Sequence, residues 1–205
     1  RKTRVWAYGD FGRPLLKCYD KDLRLGSFSY TPVKGGVTED EDSVILTVKF
    51  AIDEYCFINA GAPKEAEIRY TLNSEGLNIE VFWADKPASR LTEGIFYRLF
   101  PLTQDKDVYY NKLGLSVSPY SVAINGNRNL SATFGVSYLA EGEKVTIDNV
   151  HAPLASLGEG KILRFDNHYE SVSKDGLAFI LLDNVWGTNF PLWYEENAYF
   201  RFEIK

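Results

Sequence analysis

The residues best suited to chemistry with a small polar ligand lie in one stretch, Asn184-Val185-Trp186-Gly187-Thr188-Asn189-Phe190-Pro191-Leu192-Trp193-Tyr194. Trp186, Trp193 and Tyr194 each offer a flat apolar face with a polar tip. Asn189 offers a donor and an acceptor on one side chain, which suits a hydroxyl group. A sugar ring has apolar C–H faces and a rim of hydroxyls, so this mixture of rings and amides matches it. The same mixture also suits an aromatic loop packed on the chain's own core or on another domain, and both readings stand. A second cluster, Asp85-Lys86-Pro87-Ala88-Ser89-Arg90-Leu91-Thr92-Glu93, puts Asp85, Lys86, Arg90 and Glu93 within one short connection. An Arg90–Glu93 pair would form a clamp facing a ligand or partner. Otherwise the charges belong to a surface crossover and pair with one another.

Nothing in the chain assigns catalysis to particular residues. Its histidines, His151 and His168, have no motif that places them beside a nucleophile or a metal. There is no G-x-S-x-G elbow, phosphate-binding loop or H-E-x-x-H pair. A pair of carboxylates for glycoside hydrolysis is defined by separation in space, and spacing along the chain does not single one out among 28 acidic residues. The expectation is therefore no catalytic residue, no metal ligand and no cofactor in this chain. Cys18 and Cys56 read as two buried thiols, with a disulfide between them as the alternative. The acidic run Glu39-Asp40-Glu41-Asp42 reads as a solvated loop after a turn at Lys34-Gly35-Gly36.

The elements that must position these groups are strands. Ser43–Phe50, Ala66–Leu72, Leu77–Trp83, Ile95–Phe100, Tyr120–Ile124, Phe134–Ala140, Lys144–Val150, Leu177–Asn184 and Ala198–Ile204 are β-rich or alternate apolar with polar residues. Asn73-Ser74-Glu75-Gly76 predicts a four-residue hairpin loop, Asn125-Gly126 a type I′ turn and Glu141-Gly142-Glu143 another turn. No window carries the i, i+3, i+4, i+7 stripe of an amphipathic helix. About ten strands with short turns predict an all-β protein, an antiparallel β-sandwich. Composition agrees: 13 Phe, 13 Tyr and 4 Trp among 205 residues favour pleated sheet, and 16 Gly supply turns. With 23 basic and 28 acidic residues, the net charge of −5 argues against a nucleic-acid binder. No apolar run is long enough to span a membrane as a helix. The length suits one domain over residues 1–205. The chain begins at Arg1 and contains no Met, so the expectation is a piece of a longer protein.

Three segments together resemble a known family. They are Leu25-Gly26-Ser27-Phe28-Ser29-Tyr30; Tyr70-Thr71-Leu72 through Leu77-Asn78-Ile79 to Asp85–Glu93; and Asn184–Tyr194 followed by Ala198-Tyr199-Phe200-Arg201-Phe202. In this order they resemble the C-terminal β-sandwich of bacterial proteins related to glycoside hydrolase family 38, the α-mannosidase superfamily. The nearer likeness is to a branch whose N-terminal half is a deglycosylase-like (β/α) catalytic domain. This chain departs from that pattern at Thr92, where Pro is usual, and in the Gly94-Ile95-Phe96-Tyr97 strand. The resemblance implies a galactose-mutarotase-like supersandwich. It implies that catalytic carboxylates, and a divalent metal, belong to an N-terminal catalytic domain on which this one packs. It also implies that Trp186, Asn189, Trp193 and Tyr194, with Arg90 and Glu93, lie near carbohydrate or at the domain interface. Two other functions suit such a sequence. One is an aldose-epimerase-like enzyme using His151 or His168 with a Glu as acid and base. The other is a free-standing carbohydrate-binding module with Trp186 and Trp193 as its platform.

Overall fold

The computed structural model describes residues 26–89, 93–123, 130–160, 171–184 and 194–205. The expected antiparallel all-β architecture is the one that forms. Nine strands make the larger sheet: β1 (Thr31–Glu39), β2 (Ser43–Ala51), β3 (Glu65–Asn73), β4 (Gly76–Trp83), β6 (Val108–Lys112), β7 (Leu115–Val117), β9 (Gly135–Ala140), β10 (Glu143–Asp148) and β13 (Ala198–Ile204), in the order β1-β2-β3-β4-β13-β10-β9-β6-β7. Four make the smaller one: β5 (Glu93–Leu99), β8 (Ser131–Ala132), β11 (Leu154–Leu157) and β12 (Leu177–Asn184), in the order β5-β12-β11-β8. All strand pairs are antiparallel. The only α-helix among the described residues is one turn, α1 (Val172–Asp175).

Alternation along each strand decides which side chains enter the core. In β4 the residues Ile79, Val81 and Trp83 are buried, while Phe82 between them is exposed. In β13 Phe202 is fully buried and its neighbour Arg201 is exposed. The run Leu177-Ala178-Phe179-Ile180 in β12 is buried without interruption, which is how a strand covered on both faces reads. Rings fasten the two sheets together. Phe202 of the larger sheet lies 5.2 Å from Tyr97 and 5.0 Å from Phe179 of the smaller one.

The larger sheet is wider than the smaller, and burial fades along its inner face. Register places Phe202, Ile79, Tyr70, Leu46 and Val37 in one row across β13, β4, β3, β2 and β1. Phe202 is 0% exposed and Ile79 1%, but Leu46 is 37% and Val37 60%. Leu72 and Val44, register partners in the next row, are exposed as well. The inner face over β1–β3 is thus an apolar wing continuous with the core.

Several expectations change. Lys34-Gly35-Gly36 is not a turn but the middle of β1, because pairing with β2 supplies the ladder that two glycines would not favour alone. The β3–β4 loop is shorter than expected, since Asn73 pairs with Gly76 and only Ser74 and Glu75 remain outside the ladder. Tyr120–Ile124 is not a strand in its described part, residues 120–123, and Tyr120 instead packs against the core. Gly135–Ala140 and Glu143–Asp148 form near the expected limits. Asn125-Gly126, Cys18 and His168 lie outside the described residues. Cys56 is buried in a short π-helical turn, Cys56–Ala60. The acidic loop is exposed: Asp40 accepts from the Asp42 and Ser43 amides and the Ser43 hydroxyl, and these bonds hold its carboxyl below the usual range.

Gly76 is fixed by its surroundings. Its φ is +133°, and a Cβ there would lie 2.2 Å from the Ile204 carbonyl oxygen. Gly76→Ala is expected to lower stability by about 1–3 kcal/mol, in the range for a strained backbone residue. A denaturant melt unchanged within error would contradict this.

Candidate functional site

Of the residues the sequence nominates, Arg90, Trp186, Asn189 and Trp193 lie outside the described residues. Glu93 and Tyr194 are described, and the structure brings them together through Lys86 of the same charged connection, which the sequence gives no role at a site. Lys86 sits in the crossover from β4 to β5 with its side chain 0% exposed. Its ammonium donates to Glu93 Oε1 at 2.8 Å, to the Tyr194 carbonyl at 3.1 Å and to the Pro87 carbonyl at 3.3 Å. A buried ammonium needs this many acceptors to offset its lost hydration.

The elements around the pair explain its place. Glu93 opens β5 and is the register partner of Asn184, the last residue of β12. It shares strand parity with Tyr97, so it faces between the sheets. Asn184 Nδ2 donates to the Ser89 carbonyl at 3.3 Å, and the Asp85 amide donates to Asn197 Oδ1 at 2.9 Å. The crossover is thereby tied to the end of the smaller sheet and to the segment leading into β13. On another side, Gly61 packs so closely that a Cβ there would meet the Ser89 side chain at 2.4 Å, at a φ of +83°. The Tyr30 hydroxyl donates to the Pro63 carbonyl at 2.7 Å.

Electrostatics at this end are governed by burial. Desolvation pushes the Glu93 carboxyl above its ordinary range, against the pull of the Lys86 ammonium and hydrogen bonds from Lys86 and Asn184. Burial also raises the Tyr30 phenol, with smaller contributions from Cys56 and Glu93. Asp183 is raised by burial alone. It is adjacent to Asn184 on the strand, so it points to the opposite face of the smaller sheet from Glu93. These two carboxyls therefore do not converge on one substrate position.

Of the charges in the Asp85–Glu93 connection, Lys86 and Glu93 pair, in the interior and not on a surface crossover, while Arg90 lies outside the described residues. The reason is non-local: the smaller sheet and the segment before β13 close over the connection. The local signal was a single Lys between Trp83-Ala84 and Pro87, seven residues before Glu93, and charge alone did not distinguish it from Asp85. His151 is exposed, its ring 5.7 Å from that of Tyr199. Among the described residues no three His, Cys, Asp or Glu side chains are grouped to hold a metal ion. Among them, too, no helix is long and apolar enough to cross a membrane.

No protein-family model matches the chain, and no curated protein matches it. Among solved structures it is similar to a galactose mutarotase-like protein from Clostridium acetobutylicum, with a TM-score of 0.43 and 12% identity. The likeness covers 86% of this chain and 65% of that one, less than two thirds of the other protein's length.

Proposed function

We propose that this chain is a non-catalytic accessory domain of a carbohydrate-active enzyme related to glycoside hydrolase family 38. It packs on that enzyme's catalytic domain, through a sandwich of the galactose-mutarotase-like kind, and its loops contact glycan. The observation that carries this reading is the apolar wing of Val37, Val44, Leu46 and Leu72. These side chains stand exposed in direct continuity with a packed core. A contiguous exposed apolar patch of this sort is characteristic of an interaction surface. The internal use of Glu93 agrees with it, since a carboxylate locked onto a buried lysine stabilises the fold instead of meeting substrate. Any divalent metal and the catalytic carboxylates would belong to the partner domain.

The test is the mass of the native protein in its source, by denaturing gel and peptide mapping with peptides from this chain. The expected result is a mass several times 23.3 kDa with further peptides upstream of Arg1. A mass near that of this chain would overturn the reading. So would robust hydrolysis of aryl glycosides by this chain alone.

One observation favours a second reading, an aldose-epimerase-like enzyme. Exposed His151 lies against Tyr199, whose hydroxyl donates to Glu80 Oε1 at 2.6 Å, so an imidazole and a carboxylate flank one ring. Interconversion of anomers above the buffer rate, abolished by His151→Asn, would establish it.

A further inference from the structure

The outer face of the larger sheet carries a row of side chains unlike its neighbours. Register places Lys49, Glu67, Phe82 and Tyr199 side by side across β2, β3, β4 and β13. Phe82 is 42% exposed and Tyr199 46%. The adjacent row is charged: Arg69, Glu80 and Arg201, with Arg69 3.7 Å from Glu80. Two neighbouring rings thus stand in water beside a charged row, on a face that also exposes Leu139 and Tyr109 further along the sheet. The Tyr199 ring is held in place, because its hydroxyl donates to Glu80 Oε1 at 2.6 Å and the His151 ring, tilted by 57°, lies 5.7 Å away.

Beside Phe82 the surface sinks into an open cleft of about 390 Å³, lined by Phe57, Phe82, Lys49, Lys64, Glu67 and Asp85 among others. This lies within the ~300–1,000 Å³ typical of small-molecule sites, which also combine aromatic walls with a few polar groups. We propose that the Phe82–Tyr199 pair and the cleft beside it bind a neutral pyranose unit of a glycan, with the rings stacking on its C–H face and the cleft's charged rim meeting its hydroxyls.

Charge and size select this occupant. The cleft's two lysines, Lys49 and Lys64, are opposed by Glu65, Glu67 and Asp85, so it has no preference for an anion. Lys49 is itself 3.9 Å from Glu67. Two rings are too little apolar surface for a stable protein interface, which takes roughly 800 Å² from each partner. They match one face of one sugar, and the carboxylates and ammonium groups around them are donors and acceptors for hydroxyls. The proposed site is built from described residues and uses none of Trp186, Asn189 and Trp193. It rests on the carbohydrate reading above and gives that reading a ligand class and a place.

The experiment titrates this chain with methyl pyranosides of glucose, galactose and mannose, and with their disaccharides, by calorimetry and by saturation-transfer NMR. The variants are Phe82→Ala, Tyr199→Ala, Tyr199→Phe and Trp186→Ala. At least one sugar is expected to bind. Phe82→Ala and Tyr199→Ala should each weaken it tenfold or more, while Tyr199→Phe stays within about threefold of the parent, by analogy with stacking on aromatic platforms. Binding that survives Phe82→Ala and Tyr199→Ala but is lost in Trp186→Ala would overturn this site and leave the accessory-domain reading standing. No binding of any pyranoside would also overturn the site, and the native mass would still decide the accessory role. Should either alanine variant unfold, saturation transfer from aromatic protons of the parent chain to the sugar takes over. Its absence for the Phe82 and Tyr199 rings counts against the proposal.

Discussion

Lys86→Met is expected to lower stability at neutral pH by about 3–5 kcal/mol, because removing one member of a buried pair strands the other. Glu93, 12% exposed, would be left in the interior without its ammonium partner. Replacing both, as Lys86→Met with Glu93→Leu, should restore most of the loss, since apolar groups of similar volume need no partner. The pH dependence identifies the mechanism. The folded-state pKa of Glu93 is already raised by burial, and Lys86 is one of the groups holding it down. Without Lys86 it rises further. A carboxyl with a raised folded pKa favours the fold while protonated, and that contribution disappears as pH rises through the folded value. Lys86→Met should therefore be markedly more stable near pH 5 than near pH 7.5, and the double variant should lose that difference. Urea melts at the two pH values check both. A single variant that melts like the parent chain, or loses equally at both pH values, would contradict the account.

Phe202→Ala is expected to cost about 3–5 kcal/mol, the range for deleting a buried aromatic ring. Phe202 is fully buried and touches rings from β5 and β12, so the cavity would open on the contact between the sheets. Phe82→Ala is the internal control. Phe82 lies on the neighbouring strand and has the same chemistry, but it points outward, and its loss should change stability by less than about 1 kcal/mol. Equal losses from the two would mean that the inner and outer faces are wrongly assigned.

The strands legible in the sequence are those whose pattern reports their own burial. Leu77–Trp83 and Ala198–Ile204 alternate because one face meets the core, and Leu177–Asn184 is continuous at its start because both faces are covered. The strand over Thr31–Glu39 carries no such signal. It is exposed along its length, holds Pro32, Gly35 and Gly36, and is a strand only because β2 provides a partner. Tyr120–Ile124 misleads in the opposite way: Tyr120 packs against the core, and residues 120–123 build no ladder. The candidate site was legible in residue type and not in geometry. Residue type marks Glu93, but its partner depends on three elements that meet only in the folded state. Phe82 and Tyr199 read in the sequence as strand residues, and their exposure follows from which face the smaller sheet covers.

The position of β13 has a consequence for the order in which the molecule can be completed. Residues 198–204 lie between β4 and β10 in the middle of the larger sheet, pairing with residues more than a hundred positions earlier on one side and about fifty on the other. Until this segment leaves the ribosome, the sheet exists as two separate ladders, each with an unpaired edge where β13 will insert. Pairings of such sequence separation form slowly, and unpaired edges invite other strands. During synthesis the chain is therefore most exposed to misassembly in the interval before residue 204 emerges. A version truncated before Ala198 should accumulate as aggregate and not as a smaller folded protein.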